Sequence, residues 1–401
     1  MKRALFLLLV CLWGGQNIRA WDFCQKNLDG MMLYYNRLYL DEWCCEVAYC
    51  PNATYDRWRL RIPETVTIPG DASKGTPDTI LTVIGIEENA FRLRTTAAER
   101  RYNAECSFRE VELPSSLSYI GDYAFCGCTM MNKIVWPEDT PWIYMFGDGA
   151  FKKSSLMNIR IPKTIEYLGK EAFMHCPGAT FEFEEGNRFL TTIPRYCFYG
   201  CGMNNIVIPS NIKKIECNAF GNCMGIHAPK LPFGIQILED SAFYNHRDWT
   251  DFEIPSTILD IGNYALCAMK VEPDVDHTKR NYLNIKNLYV NKLSPPYCTS
   301  WRTFGDSLYD KETRKMSLKI SNVCLIIPAG TTEIYTTTWP WTRFNEVNIK
   351  TRNTSSIPEA PASEQEEESI FSLEGRKLDF KQKGINIIHY KDGTTKKVWL
   401  K

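Results

Sequence analysis

Apolar and polar positions recur along this chain with a period of roughly two dozen residues. A small residue followed by an aromatic one appears as Ala90-Phe91, Ala124-Phe125, Ala150-Phe151, Ala172-Phe173, Cys197-Phe198, Ala219-Phe220 and Ala242-Phe243, and degenerately as Ala265-Leu266. Successive aromatic positions lie 34, 26, 22, 25, 22, 23 and 23 residues apart. Eleven or twelve residues after most of them comes an apolar-x-apolar-Pro tetrad, as at Ile134 to Pro137, Ile159 to Pro162, Ile206 to Pro209 and Phe252 to Pro255. Leu113-Pro114 and Leu231-Pro232 are related ends, and Phe181-Glu182-Phe183 keeps the alternation with Glu184 in place of proline. An apolar-x-x-apolar element follows, at Leu117/Ile120, Ile165/Leu168, Leu190/Ile193, Ile212/Ile215, Ile235/Leu238 and Ile258/Ile261.

Eight imperfect copies at one period predict a repeat array. Within a copy, the tetrad places two apolar residues on one face of a short strand and the residue between them on the other. Proline ends the strand because it has no amide to donate. A unit of about 23 residues cannot bury its own apolar face, so it must stack on its neighbours. The expectation is a mostly β solenoid with a parallel sheet along one side and short turns or helical turns on the other. The small residue lets the turn approach the next coil, and the Phe fills the interior.

The A-F-x-x-C, I-x-I-P and I-x-x-I units over about residues 60–350 resemble the BspA-like leucine-rich repeats found on surfaces of Bacteroidetes and some other microbes. Leu288-Tyr289-Val290, Ser294-Pro295-Pro296, Leu325 to Gly330, Tyr335, Trp341 and Phe344 resemble that family's closing segment. Such a segment covers an apolar face that would otherwise be an open edge. The resulting plan has a small β cap over 21–80, about eight coils over 81–282, a C-terminal cap over 283–350, an acidic linker over 351–369 and a β tail over 370–401. In the tail Asp392-Gly393 is a hairpin turn signal. The tail also resembles the final motifs of the sorting domain used by the Bacteroidetes type nine secretion route, which implies contact with secretion and surface-anchoring machinery. A self-contained hairpin is the alternative.

Lys2 and Arg3 followed by the apolar run Ala4 to Trp13 predict a secretory signal peptide over 1–20 with cleavage after Ala20. Lysine and arginine together number 47, as do aspartate and glutamate. Loss of Lys2, Arg3 and Arg19 leaves 44 basic against 47 acidic residues. A charge near −3 argues against a nucleic-acid or anionic-membrane binder, and no later stretch is long and apolar enough for a membrane helix. Without Cys11 the sixteen cysteines become fifteen, an odd number, so at least one thiol is free or pairs between chains. Cys128, Cys176, Cys201 and Cys223 each follow the repeat aromatic by three residues, with Ser154 and His246 in the same register, which predicts a buried ladder and no metal site. Cys24, Cys44, Cys45 and Cys50 cluster in the exported cap and are candidates for disulfides.

Signatures of zincins, hydrolase elbows and phosphate loops are missing from the sequence, and His175 beside Cys176 has the wrong geometry for a dyad. No enzyme, cofactor or metal is expected. The outward tetrad residues Glu112, Val135, Arg160, Glu182, Val207, Lys230 and Glu253 form a stripe of mixed charge. Arg160/Glu182 and Lys230/Glu253 are neighbours of opposite sign, either a self-complementary solvated face or a recognition stripe. Trp142, Tyr144 and Trp249 are candidate aromatic anchors or core residues. Segments 92–107 and 271–282 lengthen the period and are either a candidate binding side or plain loops. The resemblance implies an adhesin-type role at the cell surface or beyond, with a matrix or other surface protein as partner. A glycan binder or surface scaffold is the alternative.

Overall fold

Most of the tetrads fold as the strands their alternation predicts, and a second ladder of strands runs beside them. In the computed structural model the described residues are 21–353 apart from 39–40, 42, 51–52, 54, 94–105, 139–141, 204–205, 224, 226, 247–248, 272–278, 307, 311–314, 318–319, 321–322 and 345–347. Backbone alone is described for 269–271, 279–282, 308–310, 315–317 and the four strands beyond 353. The signal peptide over 1–20 therefore lies outside the described residues. Two compact units divide the chain, the first comprising Met1–Glu184 with Cys197–Gly202, the second Glu185–Tyr196 with Met203–Lys401.

In the first unit, strands Phe23–Lys26, Met32–Arg37 and Cys44–Val47 are successively antiparallel. Cys44–Val47 then pairs in parallel with Thr79–Ile86, which Thr65–Ile68 joins in antiparallel. This sheet continues through the two-residue strands Tyr119–Ile120, Met145–Phe146 and Tyr167–Leu168, all parallel. The tetrads form separate parallel sheets: Arg59–Arg61 with Glu110–Glu112 and Lys133–Val135, and Asn158–Ile161 with Thr180–Phe183. Coils of this unit thus carry a strand at the tetrad and another at the end of the apolar-x-x-apolar element, where turns were expected.

The second unit repeats both ladders. Thr192–Ile193, Lys214–Ile215, Ile237–Leu238, Asp260–Ile261 and Tyr297–Cys298 are parallel neighbours. Trp249–Ile254, Ile285–Val290, Cys324–Pro328 and Ile349–Arg352 form the other parallel sheet. The tetrads at 206–209 and 229–232 are in no strand, although Ile206, Ile208 and Leu231 are buried while Val207 and Lys230 are exposed. The closing segment packs Trp341, Tyr335, Phe304 and Phe344 together, and Trp341 Nε1 donates to the Pro296 carbonyl at 3.0 Å. Buried Arg343 donates from Nη1 to the carbonyls of Trp301 and Gly305 at 2.7 and 2.9 Å. At the C-terminus Glu367–Ser372, Lys377–Leu378, Gly384–Tyr390 and Thr395–Leu400 make a four-stranded antiparallel sheet. The linker expected over 351–369 therefore begins inside Ile349–Arg352 and ends inside Glu367–Ser372; the Asp392-Gly393 turn lies outside the described residues.

The aromatic positions form an internal column in each unit. Phe91, Phe125, Phe151, Phe173 and Phe198 stack nearly parallel in the first, with ring centroids 5.1, 5.5, 5.3 and 5.8 Å apart. In the second, Phe220 and Phe243 stack at 5.1 Å. A turn geometry that composition does not announce holds these rings in place. The residue two before the aromatic has positive φ in all eight copies: Asn89, Tyr123, Gly149, Glu171, Tyr196, Asn218, Ser241 and Tyr264, between 53° and 61°. The residue two after it repeats this at Gly127, Lys153, His175, Gly200, Asn222 and Asn245. Alternating right- and left-handed backbone aims every second amide toward the following coil. Tyr123, Phe125 and Gly127 donate to the carbonyls of Asp148, Ala150 and Lys152 at 2.8, 2.7 and 2.7 Å. Ser241, Phe243 and Asn245 do the same toward Asn263, Ala265 and Cys267. The small residue before the aromatic is buried and supplies the accepting carbonyl.

Candidate functional site

The outward tetrad positions that fall in strands lie on open parallel sheets, and most of their charges are paired. In the first unit Glu112 meets Arg59 at 2.6 Å and Arg61 at 3.4 Å, and Lys133 meets Glu110 at 3.1 Å. Arg160 stands in register with Glu182 but pairs with Glu184, the residue replacing the tetrad proline, and leaves Glu182 exposed. In the second unit Glu253 pairs with Arg352 at 2.9 Å and accepts from Asn291 Nδ2 at 2.7 Å, where Lys230 was the expected partner. Lys230 and Glu253 instead border a hollow of about 300 Å³ with Asp251, Tyr289 and Arg352. These exposed pairs contribute about 0.2–1 kcal/mol each, so they fix the face's charge pattern more than its stability.

The aromatic candidates separate. Trp142 is 56% exposed because Ile143, fully buried, takes the interior position beside it. Tyr144 is half-buried, and Tyr167, in the strand parallel to Met145–Phe146, is 42% exposed. Tyr167 donates its hydroxyl to Asp148 Oδ1 at 3.0 Å. Trp249 does not belong to any surface: it is 3% exposed, stacks on His246 at 3.8 Å and on Phe252 at 5.0 Å, and fills the core below Phe243. Its strand buries Phe252 and Ile254, so strict alternation would turn Trp249 outward with Asp251 and Glu253; its burial breaks that alternation. Tyr167 was missed because it occupies the unremarked x of an apolar-x-x-apolar element, and only the second strand ladder turns that position outward. The two lengthened segments lie largely at 94–105 and 272–278, outside the described residues.

The cysteine register is buried, and its thiols do specific work. Cys176 and Cys201 donate to the carbonyls of Phe151 and Phe173 one coil back, at 3.2 and 3.1 Å. Ser154 Oγ lies 3.3 Å from Cys176 Sγ, and His246 Nε2 meets the Leu266 carbonyl at 2.7 Å, so the substitutes are polar too. Cys223 is buried in the second unit, with its thiol 3.8 Å from the Gly221 carbonyl. Burial raises the Cys176 thiol to about 11, against its hydrogen bond with Ser154. His175 is exposed, in the left-handed region, with its ring edge-on to Tyr199; burial and then Lys153 lower its pKa. The pair is thus a turn residue and a core thiol. Cys24, Cys44, Cys45 and Cys50 stand as thiols in the structure, with Cys24 exposed, Cys44 half-buried and Cys45 and Cys50 buried. Cys44 and Cys45 are consecutive in one strand and face opposite ways, Cys45 into the core, and burial raises both, to about 11 and about 12. Among the described residues, no three of His, Cys, Asp and Glu come together as a metal site requires.

A carboxyl at the start of the array is strongly perturbed. Glu46, half-buried beside Tyr119 and accepting its hydroxyl at 2.6 Å, is pushed up to about 7. Burial is the main cause, opposed by the Tyr119 hydrogen bond and reinforced by Glu87.

Stacked coils of this repeat with an aromatic column define a leucine-rich-repeat solenoid. Residues 95–185 and 191–273 match the BspA type leucine rich repeat region in six copies, and the repeats of this chain are of that type. Three solved structures are similar. The pneumococcal vaccine antigen PcpA is 13% identical, with 84% of this chain and 98% of that one covered and a TM-score of 0.46. A leucine-rich repeat protein from Bacteroides ovatus is 18% identical, with 83% and 77% covered and a TM-score of 0.45. A leucine rich cell surface protein from Faecalibacterium prausnitzii is 15% identical, with 84% and 97% covered and a TM-score of 0.37. No curated protein matches in sequence. Among the described residues, no helix is long and apolar enough to cross a membrane.

Proposed function

We propose that this chain is an exported, adhesin-like binding protein that uses its repeat surfaces to hold a matrix protein or another cell-surface protein. The observation that carries this reading is the broad, open face of mixed charge built by Arg59, Glu110, Glu112, Lys133 and Arg160 across successive coils. Such a face suits a partner of complementary charge pattern, since electrostatic complementarity gives specificity and association rate. The type of repeat supports a surface location, and the N-terminal apolar run supports export. The antiparallel tail sheet is proposed to engage secretion and anchoring machinery.

A glycan ligand is favoured by one feature. Trp142, Tyr144 and Tyr167 with Asp148 place aromatic rings and a carboxylate on neighbouring coils, the combination that stacks on sugar rings and bonds their hydroxyls. A matrix-protein panel run beside a glycan array on residues 21–350 distinguishes the two. Saturable binding to proteins is the expected result; binding to sugars alone would replace the first reading by the second, and turnover of a polymer would overturn both. For the tail, deletion of 370–401 is expected to abolish surface display, and unchanged display would end that part of the proposal.

A further inference from the structure

In the first unit one carbonyl receives two thiols. Cys106 Sγ and Cys128 Sγ both donate to the Phe91 oxygen, each at 3.2 Å. The register cysteines Cys176 and Cys201 meet a different carbonyl each. Two sulfurs on the two lone-pair directions of one carbonyl oxygen lie within about 5.5 Å of each other. Both are shut away from solvent, Cys106 at 4% exposure and Cys128 at 0%. Cys106 is held by a parallel bridge to Tyr55, and it follows the segment that stretches the first period to 34 residues. Cys128 belongs to the next coil. Neither needs the other as a hydrogen-bond partner for the array to form, because a single thiol serves the carbonyl elsewhere.

We propose that Cys106 and Cys128 are a disulfide pair, which ties the returning end of the long first repeat to the coil that follows. The natural setting rests on the export reading above, since disulfides persist in oxidising compartments. Two S–H bonds break and one S–S bond forms; the two thiols give up two protons and two electrons. The electrons reduce the disulfide of the oxidant, a small-molecule or protein disulfide, to two thiols through a mixed intermediate. The attacking species is a thiolate, and burial holds the Cys128 thiol well above its ordinary range. Closure therefore belongs to the folding chain, before the coil seals.

The test is refolding of the reduced, full mature chain with a mixture of reduced and oxidised glutathione, followed by thiol blocking in denaturant and peptide mapping without reductant. The expected result is a linked pair of peptides carrying Cys106 and Cys128. Dithiothreitol should then lower the melting temperature of the oxidised chain by several degrees, and leave that of Cys106→Ser unchanged. Recovery of Cys106 and Cys128 as blocked free thiols, or of Cys128 joined to another cysteine, would overturn the proposal. Because the refolding needs no export, a linked pair in vitro with a reduced pair in cells would count against the export reading alone.

Discussion

Phe151 offers the sharpest test of the aromatic column. It is 1% exposed, stacked between Phe125 and Phe173 at 5.5 and 5.3 Å, with Phe146 edge-on at 5.5 Å. Phe151→Ala removes a buried ring from the middle of that stack and leaves a cavity that main-chain hydrogen bonds on both sides prevent from collapsing. Large-to-small changes of this kind cost about 3–5 kcal/mol, with each lost ring pair included at about 0.5–1.5 kcal/mol. In a repeat array the loss falls on the neighbouring interfaces first. The amides of Phe125 and Gly127, which donate to Ala150 and Lys152, should lose exchange protection by a factor on the order of 10²–10³. Hydrogen exchange by mass spectrometry reads this directly. Phe189→Ala is the control, because Phe189 is 49% exposed and outside the column; its cost should stay within about 0.5 kcal/mol. A cost below about 1 kcal/mol for Phe151→Ala, or equal costs for the two variants, would refute the idea that the rings hold the coils together.

Three further outcomes follow from the same geometry. Lys153 is exposed with φ of 58°, so Lys153→Gly should raise stability by about 0.5–1 kcal/mol, measured as a shift in urea midpoint. Glu46 has a folded pKa of about 7 against an ordinary 4.5, so the native state holds its proton more tightly. Stability should therefore fall as pH rises from about 4.5 through 7, and Glu46→Gln should flatten that slope in unfolding titrations. Trp142→Ala should leave stability within about 0.5 kcal/mol but weaken ligand binding roughly 30-fold if Trp142 is an anchor. Trp249→Ala, by contrast, should cost about 3–5 kcal/mol in thermal or urea unfolding.

What could be read from the chain depended on side chains that repeat by kind. The tetrads, the small-aromatic pairs and the cysteine register repeat by size and polarity, and they appear as strands (at 206–209 and 229–232 as chain outside any strand, with Ile206, Ile208 and Leu231 buried), a ring column and a buried ladder. Positions that repeat by backbone shape were invisible. The left-handed turn sites hold Asn89, Tyr123, Glu171 and Ser241, which share no chemistry. Only Gly127, Gly149, Gly200 and the four asparagines hinted at them. The second strand ladder was hidden because two-residue strands such as Tyr119–Ile120 and Met145–Phe146 leave almost no alternation to detect. At the surface, outward charges were identifiable, but their partners were not. Arg160 chose Glu184 over Glu182, and Glu253 chose a residue 99 positions away. Trp249 shows the limit for aromatics: its type fits anchor or core, and alternation from the buried Phe252 and Ile254 would have turned it outward, although it is buried.

Because each turn sends its three amides onward and offers its carbonyls behind, the array has a polarity, like bricks with studs on top and sockets beneath. Whole coils can be gained or lost without disturbing that match. A fragment of a coil cannot be slotted in and must bulge sideways. Variation in length among such proteins should therefore come in steps of about 22–26 residues, and the ends cannot be exchanged, since one must supply sockets and the other studs.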